Sequence, residues 1–411
     1  MVNILNNSIN TPAYVFDENV FAERVLKTKT ALGDSIPLTF SIKANPFLLH
    51  ILPDDIAHVE VCSPGELAIC KRMKIDPKRV IYSGVMKEPW DIKEAIEFGA
   101  DIITAESPLQ FENICDAADD SGKSVKVLLR LSSGNQFGMD EGTISEIIRN
   151  RGSHPDVKII GVHFYSGTQK NKIKKIEKDI SLLSDLIDKL REKFGYTPDM
   201  IEYGPGLAAE YFIDNENEDG GDGVFVNGGN ELGNLDQDDI NLLSDVTPLL
   251  KTFASKYPLA IEMGRFLASS CGTYYSEVKD IKKNVDITYA ICDGGIHQLK
   301  YYGQMMAMQI PVIRVIRNGK EMTSEPSDAE EYCICGSLCT VADVLVREVK
   351  LPKLQVEDVI AFEKCGAYSV TEGAGMFLSR DLPTVYIKHD NGVIETCREH
   401  IETNVWNSII H

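Results

Sequence analysis

The chain of 411 residues lacks several features that would place it in a specialised class. No apolar run approaches the ~20 residues that a membrane-spanning helix needs, so we expect no membrane span. Basic residues are scarce, with 42 Lys and Arg against 62 Asp and Glu, and the net charge of −20 argues against a nucleic-acid binder. The N-terminal residues lack a basic region followed by an apolar stretch. We therefore expect no signal peptide and a cytoplasmic protein.

Cysteine and histidine are present, but not in the spacings of a metal site or a disulfide framework. The ten cysteines are scattered, and the dense segment with Cys333, Cys335 and Cys339 has no paired C-x-x-C spacing. The eight histidines include no H-x-x-x-H pair. We predict reduced thiols and no metal site.

The length suggests two domains, and a repeat of type runs through the first part of the chain. Short β-branched runs recur between about residues 38 and 265, and most are followed by a segment with helical spacing of apolar residues. They are LTFSIKA, HVEVCS, RVIYSG, DIITAE, KVLLRL, IIGVHFYSG, MIEYGPG and LAIEMGR. Eight strand–helix units predict a TIM (β/α)8 barrel. A doubly wound open sheet is the alternative, but no G-x-G-x-x-G follows an early strand.

After Arg265 the pattern changes to strand-like runs separated by turn signals such as Arg-Asn-Gly and Asp-Asn-Gly. This predicts a mostly antiparallel β-domain of residues 1–27 and 266–411, beside a barrel of residues 28–265. Residues 214–239 hold nine Asp and Glu and no Lys or Arg. Because a calcium loop would need a bidentate Glu at its twelfth position, we interpret this insertion as a flexible acidic excursion between the seventh and eighth barrel strands.

Polar residues follow the predicted barrel strands at their carboxyl ends, where the chemistry of this fold is found. In chain order they are Lys43, Glu60, Ser63, Arg130, His163, Ser166, Gly204, Gly206, Glu262, Gly264 and Arg265. Each alone has an ordinary structural explanation, such as a core histidine or a turn glycine. Together they combine a lysine amine for a Schiff base, donors for a phosphate and an acid for a pyridine nitrogen, which points to pyridoxal phosphate.

These motifs resemble those of the fold-type III pyridoxal-phosphate decarboxylases, the group of eukaryotic ornithine and bacterial diaminopimelate decarboxylases. The resemblance covers nearly the whole chain. The matching segments, in order, are SIKANP, VEVCSPGEL, GVHFYSGTQ, YGPGL, EMGR, CGSLCTVADV and CGAYSV. In EMGR, Met263 replaces the proline of the family pattern Glu-Pro-Gly-Arg.

The resemblance implies roles for these residues. Lys43 would form the Schiff base with the cofactor, His163 would stack on the pyridine ring and Glu262 would pair with its nitrogen. The phosphate would be bound by Arg265, Gly206, Ser166 and Tyr368. Cys339 would reach in from the neighbouring subunit of a homodimer with shared active sites and protonate the carbanion left after CO₂ departs.

The sequence departs from the family pattern where the substrate would bind. In decarboxylases of free diamino acids, an acid follows the catalytic cysteine and pairs with the distal ammonium, whereas here Thr340 stands there. Because a buried ammonium without a carboxylate is costly, ornithine, lysine and diaminopimelate become poorer candidates. Lys300, Tyr301 and Arg380 are further candidates for substrate contact, and Arg380 is equally well explained as a surface residue.

The site therefore suits an amino acid whose distal end is not a free ammonium, as in relatives from siderophore and antibiotic pathways. Our preferred hypothesis is a glutamyl thioester on an acyl carrier protein, followed by a citryl-diamine conjugate. A basic cluster follows the sixth strand: Lys170, Lys172, Lys174, Lys175 and Lys178. A solvated helix start is the simpler explanation of it, and attraction of an acidic carrier protein is the alternative.

Three alternatives stay open: a decarboxylase of a free diamino acid, a catalytically silent regulatory homologue, and a racemase of the same barrel class. The presence of both Lys43 and Cys339 disfavours the silent homologue, and Cys339 in its Gly-x-x-Cys setting favours decarboxylation over racemisation.

Overall fold

Residues 2–4, 7–213, 229–304 and 307–409 are described in the computed structural model of the chain. The chain divides into two units. We call Ala22–Ala209 with Ile240–Leu267 the barrel unit, and Met1–Phe21 with Glu210–Asp239 and Ala268–His411 the β unit. The domain limits inferred from the sequence, 28–265 for the barrel, remain a prediction.

Three short strands precede the barrel: β1 (Val2–Ile4), β2 (Asn7–Ile9) and β3 (Ala13–Asp17). The barrel strands are β4 (Leu38–Ser41), β5 (His58–Val61), β6 (Val80–Tyr82), β7 (Ile102–Ala105), β8 (Val125–Leu131), β9 (Val157–Tyr165), β10 (Met200–Gly204) and β11 (Leu259–Met263). Each pairs in parallel with the next, and β11 pairs with β4 to close the barrel. All eight strands expected from the sequence are confirmed. Their side chains are almost all buried, because a TIM barrel covers both faces of its sheet.

In chain order, the first seven helices of the described residues are α1 (Glu18–Leu32), α2 (Pro64–Arg72), α3 (Pro89–Phe98), α4 (Pro108–Ser121), α5 (Glu141–Arg149), α6 (Ile173–Phe194) and α7 (Gly229–Ala254). Local sequence explains their starts. Ser63 and Ser107 cap α2 and α4 by accepting a hydrogen bond from the backbone N–H of Glu66 and Gln110, and a proline follows each serine. By contrast, α6 begins at Ile173, and its N-cap residue Lys172 makes no side-chain capping hydrogen bond.

The prediction that residues 214–239 form a flexible acidic excursion is wrong for the second half of this segment. Helix α7 begins at Gly229, and two of the insertion's acids are structural. Lys364 Nζ lies 2.9 Å from both Asp236 Oδ1 and Asp239 Oδ2, and the side chains of Lys364 and Asp239 are fully buried. A buried ammonium needs such carboxylates, so this part of the acidic run is a binding partner within the β unit rather than a solvated loop. Residues 214–228 lie outside the described residues.

The β unit is a mixed, mostly antiparallel sheet, as the sequence predicts. Its later strands are β12 (Gly272–Asn284), β13 (Ile287–Cys292), β14 (Ile313–Arg317), β15 (Lys320–Met322), β16 (Glu330–Cys335), β17 (Val344–Leu351), β18 (Val359–Phe362), β19 (Thr384–Lys388) and β20 (Ile394–Arg398). The early strand β3 pairs with β12 and β19. Two short helices complete the chain, α8 (Arg265–Ala268) and α9 (Ser369–Glu372). Among the described residues no helix combines the length and the apolar character needed to cross a membrane.

Candidate active site

Lys43 lies directly beyond the carboxyl end of β4, in a short 3-10 helix of Ile42–Ala44. Its Nζ lies 3.0 Å from Glu60 Oε2 and 3.8 Å from Glu262 Oε1, and its side chain keeps 40% of its surface exposed. The ammonium is therefore held by two carboxylates from neighbouring strands, β5 and β11, while remaining open to a reactant.

Ser41 connects the same two carboxylates from below. Its Oγ lies 2.8 Å from Glu60 Oε2 and 2.6 Å from Glu262 Oε1. A hydroxyl has one proton to donate, so Ser41 can donate to only one carboxylate at a time. The positive charge near both carboxylates comes from Lys43.

His163 on β9 completes this group. Its Nε2 lies 2.9 Å from Glu262 Oε2, and both side chains are buried. Burial by itself raises the pKa of Glu262, but the charge of Lys43 and the hydrogen bond from His163 outweigh it and hold the pKa well below its ordinary value. Glu262 is thus an anion at neutral pH, aimed at the space at the end of the barrel.

Arg130, at the end of β8, has a partner that the sequence motifs did not identify. Its Nη1 donates to Glu106 Oε1 at 2.7 Å, both side chains are buried, and its guanidinium lies 4.7 Å from the ring centre of Phe137. Glu106 ends the strand-like run DIITAE, directly after β7, but belongs to none of the segments that resemble the family. The one available signal was its position after a predicted strand.

Lys87 is a buried lysine of the barrel unit that sequence reasoning missed. Burial lowers its pKa to about 8, and its Nζ donates to the carbonyl of Gly84. A lysine with a lowered pKa is a candidate amine nucleophile on chemical grounds alone, so Lys87 is the rival of Lys43 that an experiment must exclude.

The loops after β9 and β10 form a glycine-lined cradle. Gly206 has φ +61°, and a Cβ there would lie 1.9 Å from the carbonyl oxygen of Gly167, so no other residue fits without a shift of the backbone. The backbone N–H of Lys170 donates to the Gly206 carbonyl at 2.9 Å, which ties the two loops together. Close approach also requires the glycine at Gly204, which faces the ring of Tyr165, and at Gly264, which faces Ala44.

Arg265 and Ser166 lie beside this cradle with different partners. Arg265 Nε donates to Thr168 Oγ1 at 3.3 Å. Ser166 Oγ lies within 2.9 Å of both carboxylate oxygens of Asp179 and accepts from Lys170 Nζ at 2.6 Å. The single hydroxyl proton of Ser166 is therefore directed at Asp179 in this conformation. Of the basic cluster named from the sequence, Lys170 is buried in this network and is not part of an exposed basic rim.

In the β unit, Cys339 is exposed and lies on a loop fixed by Asp343. The Asp343 carboxylate accepts the backbone N–H of Ile296 at 2.8 Å and of Leu338 at 2.6 Å. Thr340 is half-buried, and its Oγ1 accepts the N–H of Ala342 at 3.3 Å. The loop is thus held by hydrogen bonds from backbone N–H groups to the side chains of Asp343 and Thr340, and Cys339 lies exposed on it.

The remaining β-unit candidates differ in environment. Tyr368 has φ 66°, a conformation that non-glycine residues adopt mainly at turns and functional sites. Lys300 is exposed, and Arg380 donates to the carbonyl of Ser337 in the Cys339 loop at 2.8 Å. Tyr301 is buried, and its hydroxyl donates to the carbonyl of Glu363 at 2.6 Å. This is the environment of a core tyrosine, so the structure does not favour Tyr301 as a substrate contact.

These residues fit pyridoxal phosphate. Glu262 is an anion suited to a protonated ring nitrogen, and Lys43 is an accessible amine. The glycine cradle beside Arg265 has no side chains in the way, so a phosphate can approach its backbone closely. The donor set thus supplies a contact for the ring nitrogen, the aldehyde and the phosphate.

Comparison with known proteins agrees with this chemistry. Residues 19–269 match the family model described as "Pyridoxal-dependent decarboxylase, pyridoxal binding domain". Because the match covers more than half of the chain, the chain belongs to this family. It is a pyridoxal-phosphate-dependent decarboxylase, and the alternatives of a silent homologue and a racemase are not supported.

Individual relatives cover nearly all of the chain. It is 26% identical to the L-glutamyl-[BtrI acyl-carrier protein] decarboxylase of Niallia circulans, over 97% of this chain and 93% of that protein. It is 25% identical to the 2-[(L-alanin-3-ylcarbamoyl)methyl]-2-hydroxybutanedioate decarboxylase of Staphylococcus aureus, over 90% and 92%. The crystal structure of diaminopimelate decarboxylase from M. jannaschii shares its fold, with a TM-score of 0.81 and 21% identity over 98% of this chain and 93% of that one.

Proposed function

We propose that this enzyme decarboxylates an amino acid whose distal end is not a free ammonium, and that its substrate is a glutamyl thioester carried by an acyl carrier protein. The observation that carries this proposal is Thr340, which follows Cys339 where the family's decarboxylases of free diamino acids place an acid. Thr340 is neutral, and its hydroxyl is already engaged with Ala342. The Niallia circulans relative, which acts on a carrier-bound glutamyl group, supports the same substrate class.

The residues of the barrel unit would hold the cofactor and the substrate amine. Pyridoxal phosphate, when bound, supplies the aldehyde that links to an amine and the ring that withdraws electrons from the bond to the departing carboxylate. Lys43 would hold that aldehyde until the substrate amine replaces it, and Glu262 would keep a proton on the ring nitrogen. His163 would cover one face of the ring, while Gly206 and Arg265 would bind the phosphate, with Glu60 and Arg130 supporting the site.

Cys339 would complete the reaction. When CO₂ leaves, the α-carbon must gain a proton, and the Cys339 thiol would donate it, so that the products are CO₂ and the corresponding primary amine. Cys339 is exposed in the single chain, as expected of a group that acts in the barrel of a neighbouring subunit. We therefore propose a homodimer with two shared active sites.

A surface feature of the barrel unit supports a carrier-bound substrate. A cavity of about 560 Å³ lies between the loops after β8 and β9 and one face of α6. Lys175, Lys178 and Leu182 line it from that helix face, with the hydroxyls of Ser132 and Thr168 on the other side. Lys175 and Lys178 are exposed, and acyl carrier proteins are generally acidic, so this face would attract one electrostatically.

The second candidate substrate is a citryl-diamine conjugate, in which an amide replaces the distal ammonium. The Staphylococcus aureus relative, which decarboxylates such an amide, favours it. Decarboxylation of a free diamino acid is the least favoured alternative because of Thr340.

The test is CO₂ release from a substrate panel: carrier-bound glutamyl thioester, citryl-diamine conjugate, ornithine, lysine and meso-diaminopimelate. An unpaired buried ammonium costs about 3–5 kcal/mol. We therefore expect kcat/KM for the free diamino acids to lie at least roughly 100-fold below that for the preferred substrate. Efficient turnover of any free diamino acid would overturn the proposal.

A further inference from the structure

Beneath the active-site residues lies a set of buried polar atoms that the mechanism has not used. No hydrogen bond of standard geometry from the described residues reaches Nδ1 of His163, the hydroxyl of Thr39 or either carboxylate oxygen of Glu202, although the Thr39 hydroxyl lies close enough to Glu202 to act against the rise of its pKa. Glu202 and Thr39 are fully buried. A buried polar atom without a partner is destabilising, so such a cluster in a barrel core needs a physical explanation.

Glu202 and His163 face the same space. Glu202 on β10 is the register partner of His163 on the adjacent strand β9. Register partners in a parallel sheet point to the same face, and His163 points inward to Glu262. Glu202 therefore also projects into the barrel interior, one strand spacing of about 4.8 Å from His163.

The proton on His163 can be placed from its contacts. Glu262 is an anion and can only accept, so Nε2 of His163 carries the hydrogen of their 2.9 Å bond. In the neutral ring, Nδ1 is then an acceptor, and it needs a donor that the described residues do not provide in this conformation.

Glu202 can be that donor if it is protonated. Burial, together with repulsion from the Glu262 and Glu60 carboxylates, raises the pKa of Glu202 well above its ordinary value. The charges agree, since the Lys43 ammonium already lies beside two carboxylates, those of Glu60 and Glu262, before Glu202 is counted.

We propose that Glu202 is held as a neutral carboxylic acid, donates its hydrogen to Nδ1 of His163 directly or through one buried water, and so fixes the Nε2–H tautomer that His163 presents to Glu262. Glu202 is then a positioning residue. It keeps His163 neutral, so that the negative charge of Glu262 stays available for the ring nitrogen of the cofactor. That consequence rests on the proposed roles of His163 and Glu262, whereas the tautomer itself can be measured without cofactor.

The experiment is ¹⁵N NMR of histidine-labelled protein freed of cofactor, with the His163 signals assigned by their loss in His163→Gln. In the wild type we expect the Nε2–H tautomer at neutral pH. Glu202→Gln, whose amide can still donate, should keep it. Glu202→Leu, which has no donor, should lose the tautomer preference and weaken cofactor binding by roughly tenfold.

Two results would overturn the proposal. The first is a doubly protonated His163 in the wild type at neutral pH that becomes neutral in Glu202→Gln, because that would make Glu202 an anion. The second is a Glu202→Leu spectrum identical to that of the wild type. If Glu202→Leu does not fold, infrared spectroscopy decides the matter. The carbonyl stretch of a protonated carboxylic acid should be present in the wild type and absent in Glu202→Gln, and its absence from the wild type would refute the proposal.

Discussion

The two units of the chain hold their functional candidates in different ways. In the barrel unit, Lys43, Glu60, His163 and Glu262 are joined to one another by contacts of 2.9–3.8 Å and, Lys43 apart, are buried. In the β unit, Cys339 and Lys300 are exposed. A cofactor site benefits from groups fixed in advance by their neighbours, whereas groups for a substrate or a second subunit find their partners outside their own unit. The comparison explains why the cofactor is easier to infer than the substrate.

The largest effect is expected from removing the central amine of the barrel unit. Lys43→Ala should lower kcat by at least roughly 10³-fold and abolish the covalent, borohydride-reducible link to the cofactor, because no other amine lies between Glu60 and Glu262 in the described part of the site. The matched control is Lys87→Met, which removes the buried lysine with a lowered pKa and should keep the link. Peptide mass analysis would show where the cofactor is trapped. Cofactor found on Lys87 in the Lys43→Ala protein would mean that Lys87, and not Lys43, forms the covalent link.

The second prediction asks whether the exposed Cys339 acts in another subunit. Lys43→Ala and Cys339→Ala should each be inactive alone. After subunit exchange, about a quarter of the wild-type activity should return, because half of the dimers are hybrids with one intact site of two.

The control for this mixing experiment pairs Lys43→Ala with Glu262→Ala. Both residues belong to the barrel unit, so no hybrid regains a complete site and activity should stay absent. If the Lys43 and Cys339 variants exchange subunits without any recovery, the shared site is wrong.

Much of the barrel could be predicted because its information is local. A short, mainly apolar run such as LTFS in β4 is identified by a composition that suits burial on both faces, and each motif residue follows such a strand. Glu106, Lys87 and Glu202 were missed because their significance lies in partners from other strands or in complete burial, which no spacing in the sequence reveals. The prediction of a solvated acidic insertion failed for the same reason. Asp236 and Asp239 look solvated within an acidic run, but they bind Lys364 more than 120 positions away.

A third prediction concerns position 340 in the β unit, where the distal end of the substrate would bind. Thr340→Asp should raise kcat/KM for ornithine or lysine by roughly tenfold, because the new carboxylate can pair with the distal ammonium. The control is Val341→Asp, which adds the same charge at the next position, where the side chain is almost fully exposed. Equal gains from the two variants would mean that overall charge, and not position 340, sets the preference.

The smallest effect is expected on the helix face that would meet a carrier protein. Lys175→Glu combined with Lys178→Glu reverses the two exposed ammonium groups that line the cavity beside α6. We expect kcat/KM for the carrier-bound substrate to fall by about tenfold at low salt, and less at high salt, because screening weakens long-range attraction. A small thioester mimic should react as in the wild type, since it needs no docking surface. The control is Lys193→Glu, an exposed lysine in the last turn of the same helix, about 22 Å further along its axis. An equal loss on carrier-bound and small substrates would place Lys175 and Lys178 in folding or in the site itself, and the carrier would then have to dock elsewhere.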